Sequence, residues 1–442
     1  MFWNKTKVNF IKELDTTGKW WCDSAVMFTV KNGRNVIREV IGPDEKDYNH
    51  LVYLQVGDKP LIQSDQPSCP TCKSLLATGY GIENIDCPEL VAAREAMNSE
   101  FVSLMDSAEK IKPLLGLLSD GYYVLADVIC FPSDGDGHFF YEVPDEPKYY
   151  EAACDGYYSS FDYSIYDHFP LFLYPSQSSL LISNKRVEYY AQILKTENNP
   201  PRALAYHFTG FMNLLLDGHH KACAAASLGK AIRCLTIIPM DGCLFVPGKF
   251  KAGENGKPDN PLIKSIHFAG LEVIPEEEMY YRDVFADRWK RSDIYPIRKY
   301  SLTENRIHYG PDLYPTIRDF AQLMNTEVNG NDMFPDMSLE ALLRLTDEDT
   351  DDVDRFLEAA LHYLTATDQD KAYKLASAIV KKGEGHKRGL RLMASIQYLL
   401  NCKSDETEQL FADFYVNHNA SEHDEYMEIV NSYWRDGNDS GT

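Results

Sequence analysis

The residues best suited to chemistry in this 442-residue chain are Asp217, Gly218, His219, His220 and Lys221, which stand consecutively at one bend. Leu214, Leu215 and Leu216 before them read as a buried strand. Ala222, Cys223, Ala224, Ala225, Ala226 and Ser227 after them read as a helix slim enough to lie close to a sheet. A helix that opens directly off a strand leaves its first N–H groups unpaired, and its dipole adds partial positive charge there. Such a start favours anions, phosphate above all. Gly218 lets a ligand approach the main chain, and His219, His220 and Lys221 can offer hydrogen bonds or charge. Asp217 can hold a magnesium ion or orient a histidine. The plainer alternative is a solvated turn whose histidines only cap the helix.

A second cluster is Cys69-Pro-Thr-Cys72, with Cys87 fifteen positions on. Two cysteines at this spacing present both thiolates to one metal, and zinc favours such sulfur pairs. Cys87 makes a third ligand, with Cys22, Cys130, His138 and Cys154 as candidates for the fourth. A redox dithiol and unligated cysteines stay open beside structural zinc, although the flanks lack the strand-to-helix context of a thioredoxin motif. Asp134-Gly-Asp-Gly-His138 invites a calcium reading, but it has no glutamate at the closing position of an EF-hand loop, so a hairpin turn explains it better. The tyrosine- and phenylalanine-rich stretch from Tyr149 to Tyr174 reads as an amphipathic wall over the core, with a stacking pocket as the alternative.

The bend at Asp217–Lys221 resembles the signature segment of the ParB/sulfiredoxin superfamily, in particular members with Asp-Gly-His-His-Arg such as the free serine kinases. The order around it agrees: Arg186–Leu194 looks like the family's short helix, Pro200–Phe208 like its proline-then-strand element, and Gly210–Asn213 like a turn into the signature strand. Leu228–Gly229 and the strand closing at Pro239 follow. The likeness covers about residues 170–240. It implies a nucleotide, ATP or CTP with Mg²⁺, held at Gly218, His219, His220 and Lys221, with Asp217, His219 and His220 as the catalytic candidates for phosphoryl transfer or nucleotide hydrolysis. His219 stands where sulfiredoxin has its cysteine, which argues against sulfinic-acid reduction. Lys221 keeps the charge of the usual arginine but not its fork. Gln177, in Leu173-Tyr-Pro-Ser-Gln177, stands where the serine kinases carry a glutamate base. A non-catalytic scaffold with a degenerate nucleotide fold is therefore the competing expectation.

Bulk properties narrow the choice. The formal net charge is −23 and the isoelectric point about 4.9, a balance that repels phosphate backbones and argues against nucleic acid as a partner. No Walker A pattern is present, so P-loop chemistry is excluded. The first residues show no signal-peptide pattern and no stretch approaches the roughly 20 apolar residues of a membrane span. The ten cysteines form no dense framework, as expected of a reducing cytoplasm.

The elements that must position these groups suggest an α+β chain in four parts. Residues 1–120 form a β-rich region carrying the zinc-knuckle candidate, with a hairpin turn at Asn32–Gly33 and a helix over 88–118. Residues 121–275 hold the nucleotide-binding candidate, and 276–337 connect, with a basic and aromatic cluster at Asp287–Arg291. Residues 338–442 form a helical array, with helices expected at 369–382, 386–401, 405–417 and 422–434. Tyr363–Leu364 and Tyr398–Leu399 recur about 35 residues apart, which suggests stacked helical hairpins that dock a protein partner.

Overall fold

The protein, seen in a computed structural model, is described over residues 5–43, 50–57, 59–66, 75–78, 82–133, 135, 148–151, 169–177, 181–209, 211–240, 265–268, 271–275, 314–316, 319–320, 323, 336–383, 389–417 and 425–435. It is a mixed α/β chain that divides into two compact units, Met1–Pro311 and Asp312–Thr442.

The first unit is built on a seven-stranded mixed sheet in the order β1-β2-β7-β12-β10-β11-β9. Its members are β1 (Lys7–Leu14), β2 (Cys22–Lys31), β7 (Gly121–Cys130), β9 (Phe172–Tyr174), β10 (Ala203–Thr209), β11 (Met212–Asp217) and β12 (Ile232–Pro239). A five-stranded sheet takes β3 (Ile37–Pro43), β4 (His50–Val56), β5 (Lys59–Gln66), β6 (Leu75–Thr78) and β8 (Lys148–Glu151). A hairpin of β13 (Ser265–Phe268) and β14 (Leu271–Pro275) forms a separate two-stranded sheet. Because β2 hydrogen-bonds β7, the large sheet draws strands from both sides of the boundary expected at residue 120.

The hairpin expected at Asn32–Gly33 does not form: β2 pairs with β1 and β7, while β3 pairs with β4. The amides at the bend have partners far along the chain instead. Gly33 donates to Asp120 Oδ1 at 2.6 Å, and Arg34, Asn35 and Val36 donate to the carbonyls of Gly116, Leu118 and Leu117. A long-range set of bonds outweighs a local turn signal here. The single helix expected over 88–118 is two, α1 (Pro88–Ala96) and α2 (Leu104–Leu115). The break is explained by Ser103, whose hydroxyl accepts the Asp106 amide and starts α2 afresh.

Two further helices serve the site. α3 (Asn184–Thr196) and α4 (His219–Ser227) pack on each other, and α4 also lies on β10 and β12. The central arrangement is β10, antiparallel β11, then α4 crossing to β12, which runs parallel to β10. Alanine explains the close approach: Ala222, Ala224, Ala225 and Ala226 are fully buried. The helix ends at Leu228, and Gly229 follows at φ 60°, the left-handed stop expected of it.

The second unit is helical: α5 (Leu339–Leu345), α6 (Asp351–Thr367), α7 (Gln369–Lys382), α8 (Gly389–Leu400), α9 (Asp405–Asn417) and α10 (Glu425–Arg435). Capping residues mark the starts, with Ser338, Thr350, Asp368 and Ser404 each accepting an amide of the first turn. α5 packs on α7 and α7 on α9, while α6 packs on α8 and α8 on α10. That is the neighbour pattern of three stacked helical hairpins. Asp354 joins two of them, accepting the Leu390 and Arg391 amides at 3.0 and 3.1 Å.

Candidate functional site

The buried strand β11 passes to α4 through Gly218, whose φ is 106°. A β-carbon there would stand 2.6 Å from that of Ala203 on β10. Both the backbone angle and the space demand glycine. Helical bonding begins with the Ala222 amide donating to the Gly218 carbonyl at 2.8 Å. The amides of His219, His220 and Lys221 precede that bond, and among the described residues no main-chain hydrogen bond reaches them.

The three side chains leave the helix in different directions, as successive residues about 100° apart must. His219 Nε2 accepts the Ser176 amide at 2.9 Å. Ser176 is itself fully committed: its carbonyl accepts the Ile82 amide at 2.7 Å and its hydroxyl donates to the Leu215 carbonyl. His220 Nε2 accepts the Ser183 amide at 3.0 Å. Ser183 is the residue before α3, and its carbonyl takes the Arg186 and Val187 amides. Lys221 Nζ donates to the carbonyls of Met97 and Arg202 at 2.7 and 2.8 Å, with Asp217 Oδ2 at 3.7 Å. Met97 closes α1, so the ammonium sits at the negative end of that helix.

Burial sets the electrostatics. It drives the His219 imidazole down to about 3, helped by the charges of Arg94 and His220. His220 is also lowered, first by burial and then by Arg186, with Asp217 and a backbone bond at Leu181 opposing. Because each Nε2 accepts a main-chain amide, both rings are neutral acceptors with the proton on Nδ1. Lys221 is lowered by burial, while Asp217 pulls the other way. Asp217 Oδ2 is buried and has no hydrogen-bond partner among the described residues.

Beside this lies a pair that sequence reasoning missed. Arg202 holds Asp127 with Nε at 3.0 Å from Oδ1 and Nη2 at 2.9 Å from Oδ2, while its guanidinium stacks 3.9 Å above the Phe101 ring. Burial raises the Asp127 carboxyl even with Arg202 opposing it. Removing one member of so buried a pair would strand the other charge. Ser176 and Ser183 were missed as well.

Sequence reasoning gave the imidazoles and ammonium to a phosphate, and the structure describes a protein partner for each of the three. What it brings together at the bend is Gly218, the first-turn amides, Asp217 and the start of α3. Of the zinc candidates, Cys87 is described: it precedes α1, is buried, and its thiol lies 3.6 Å from Glu89 Oε2. Burial raises that thiol, with the Leu90 amide opposing. Cys69, Cys72, His138 and Cys154 lie outside the described residues, as do most of Asp134–His138, Tyr157–His168 and the basic cluster at 287–300. Cys22 and Cys130 lie in β2 and β7, and the Cys130 thiol donates to the Pro170 carbonyl at 3.4 Å. Among the described residues no three His, Cys, Asp or Glu side chains gather as metal ligands, and no helix is long and apolar enough to cross a membrane. Compared with known proteins, the chain matches no family model, no curated protein and no solved structure.

Proposed function

We infer that the protein is a cytoplasmic nucleotide-binding protein of ParB/sulfiredoxin-like type that grips phosphate through the main-chain amides at the start of α4. The observation that carries this reading is Gly218, held at φ 106° between a buried strand and a buried helix whose first amides have no main-chain partner. Two helix N-termini meet here, since His220 ties Ser183 at the start of α3 to the start of α4. Their dipoles add, and Lys185 and Arg186 in the first turn of α3 extend the positive field. Asp217 Oδ2, buried without a hydrogen-bond partner among the described residues though 3.7 Å from Lys221 Nζ, is the carboxylate oxygen that could meet the magnesium of a Mg²⁺–ATP or Mg²⁺–CTP ligand. Phosphoryl transfer or nucleotide hydrolysis is the reaction class such a site would serve. A structural zinc on Cys69, Cys72 and Cys87 belongs to the same reading, with Cys87 standing directly before α1.

The second reading is a scaffold that binds partners through its helical array and carries no catalysis. It is favoured by the commitment of Lys221 to two carbonyls and by Gln177, which has no carboxylate to act as a base. Isothermal titration with ATP, ADP and CTP, with and without Mg²⁺, separates the two. Saturable heat that weakens in Asp217→Asn only when Mg²⁺ is present supports the nucleotide reading. Absence of heat from all three nucleotides overturns it in favour of the scaffold.

A further inference from the structure

We propose that His219 and His220 are positioning residues: together they clamp both ends of the connection between β9 and α3 onto the start of α4. The role rests on the phosphate reading above in one respect, that the place being ordered is the ligand site. The geometry is specific. The two imidazoles are neighbours in sequence, yet their Nε2 atoms accept amides at Ser176 and Ser183, residues on either side of a short loop. The 100° turn between successive helical residues spreads the rings far enough to reach both ends at once.

Each serine is fixed on its other side. Ser176 is held to Ile82 and Leu215, and Ser183 to the first turn of α3. The imidazoles thus tie those two fixed points directly to the first turn of α4, beside the packing of α3 on α4. The consequence is functional: Gln177 and Arg186, each within three residues of a clamped serine, take their places relative to the α4 amides from the rings. A neutral ring with a bare Nε2 is needed for this, the state favoured by burial at both rings, by Arg94 beside His219 and by Arg186 beside His220. Phosphate contact is left to main chain and to Arg186, not to the imidazoles.

The test is hydrogen–deuterium exchange resolved to single amides on the full chain, run beside nucleotide titration. His219→Leu is expected to speed exchange at Ser176, and His220→Leu at Ser183, each by about 10- to 100-fold, the usual result of removing a buried acceptor. His219→Gln and His220→Gln put an acceptor near Nε2 and are expected to restore slow exchange. Nucleotide affinity should fall in the leucine variants and return in the glutamine ones. Unchanged exchange at Ser176 and Ser183 in the leucine variants overturns the clamp, and so does glutamine that fails to restore it in a folded chain. Faster exchange with undiminished affinity overturns the positioning role. If wild type binds no nucleotide, the phosphate reading falls while exchange alone still decides the clamp.

Discussion

Acid should unfold this protein partly through His219, and the size of the effect follows from its surroundings. The ring is buried against Ser176 and its pKa falls from the ordinary 6.5 to about 3. The folded value is the depressed one, so the contribution is fully present above pH 6.5 and is lost as pH falls from there toward 3. Within that window each pH unit costs about 1.4 kcal/mol, because the unfolded chain takes up a proton that the folded chain refuses. At pH 5 the loss is roughly 2 kcal/mol relative to neutral solution. His219→Gln keeps an acceptor for the Ser176 amide but cannot titrate. Urea unfolding of wild type and variant from about pH 8 to pH 5 isolates the term, since the carboxylates and the equally buried His207 are common to both. Wild type should lose about 2 kcal/mol more than the variant by pH 5. Parallel curves would refute the reasoning, and so would an NMR titration that places the His219 ring near 6.5.

Two further outcomes are expected. Gly218→Ala should lower unfolding free energy by about 2–4 kcal/mol, combining the left-handed backbone penalty with the collision against Ala203, and a shift below about 0.5 kcal/mol in urea unfolding would contradict the turn. Tyr398→Phe and Tyr433→Phe should each cost about 1 kcal/mol and add nearly linearly in the double variant, and a cost confined to one of them would deny that the two hairpins are equivalent.

The strand-to-helix bend was legible in sequence because every local signal agreed: three leucines, a glycine and a run of alanines allow little else. The helices of the second unit were legible for the same reason. Apolar spacing set their faces, so 369–382 and 405–417 come out as expected. Where local signals competed with distant partners, sequence reasoning went astray. Asn32–Gly33 has the residues of a hairpin, but the amides beside it belong to carbonyls at 116–118. The work of His219, His220 and Lys221 was hidden similarly, since their partners are main-chain groups 43, 37 and 124 residues away, the last at Met97. A main-chain partner leaves no trace in residue identity, so side-chain chemistry at a bend cannot be read without the fold that surrounds it.

The helical array shows how a faint sequence signal gains meaning from geometry. Tyr363, Tyr398 and Tyr433 stand 35 residues apart. In the structure they fall on α6, α8 and α10, the second helices of three successive hairpins. Tyr398 donates its hydroxyl to the Gln369 carbonyl and Tyr433 to the Ser404 carbonyl, both across 29 residues. Gln369 and Ser404 each open the first helix of the same hairpin, so one tyrosine repeatedly closes the far end of its own unit. The spacing from Tyr398 to Tyr433 is thus the footprint of a bond within the second and third hairpins, repeated because they stack alike. Most residues between the tyrosines answer to packing and can diverge, which is why the period is visible in so few positions. An array of this kind gains stability from neighbour to neighbour, so its end hairpin, α9 with α10, has a partner on one side alone among the described residues. It is the place where the array should open first, and amide exchange should rise from α8 to α10.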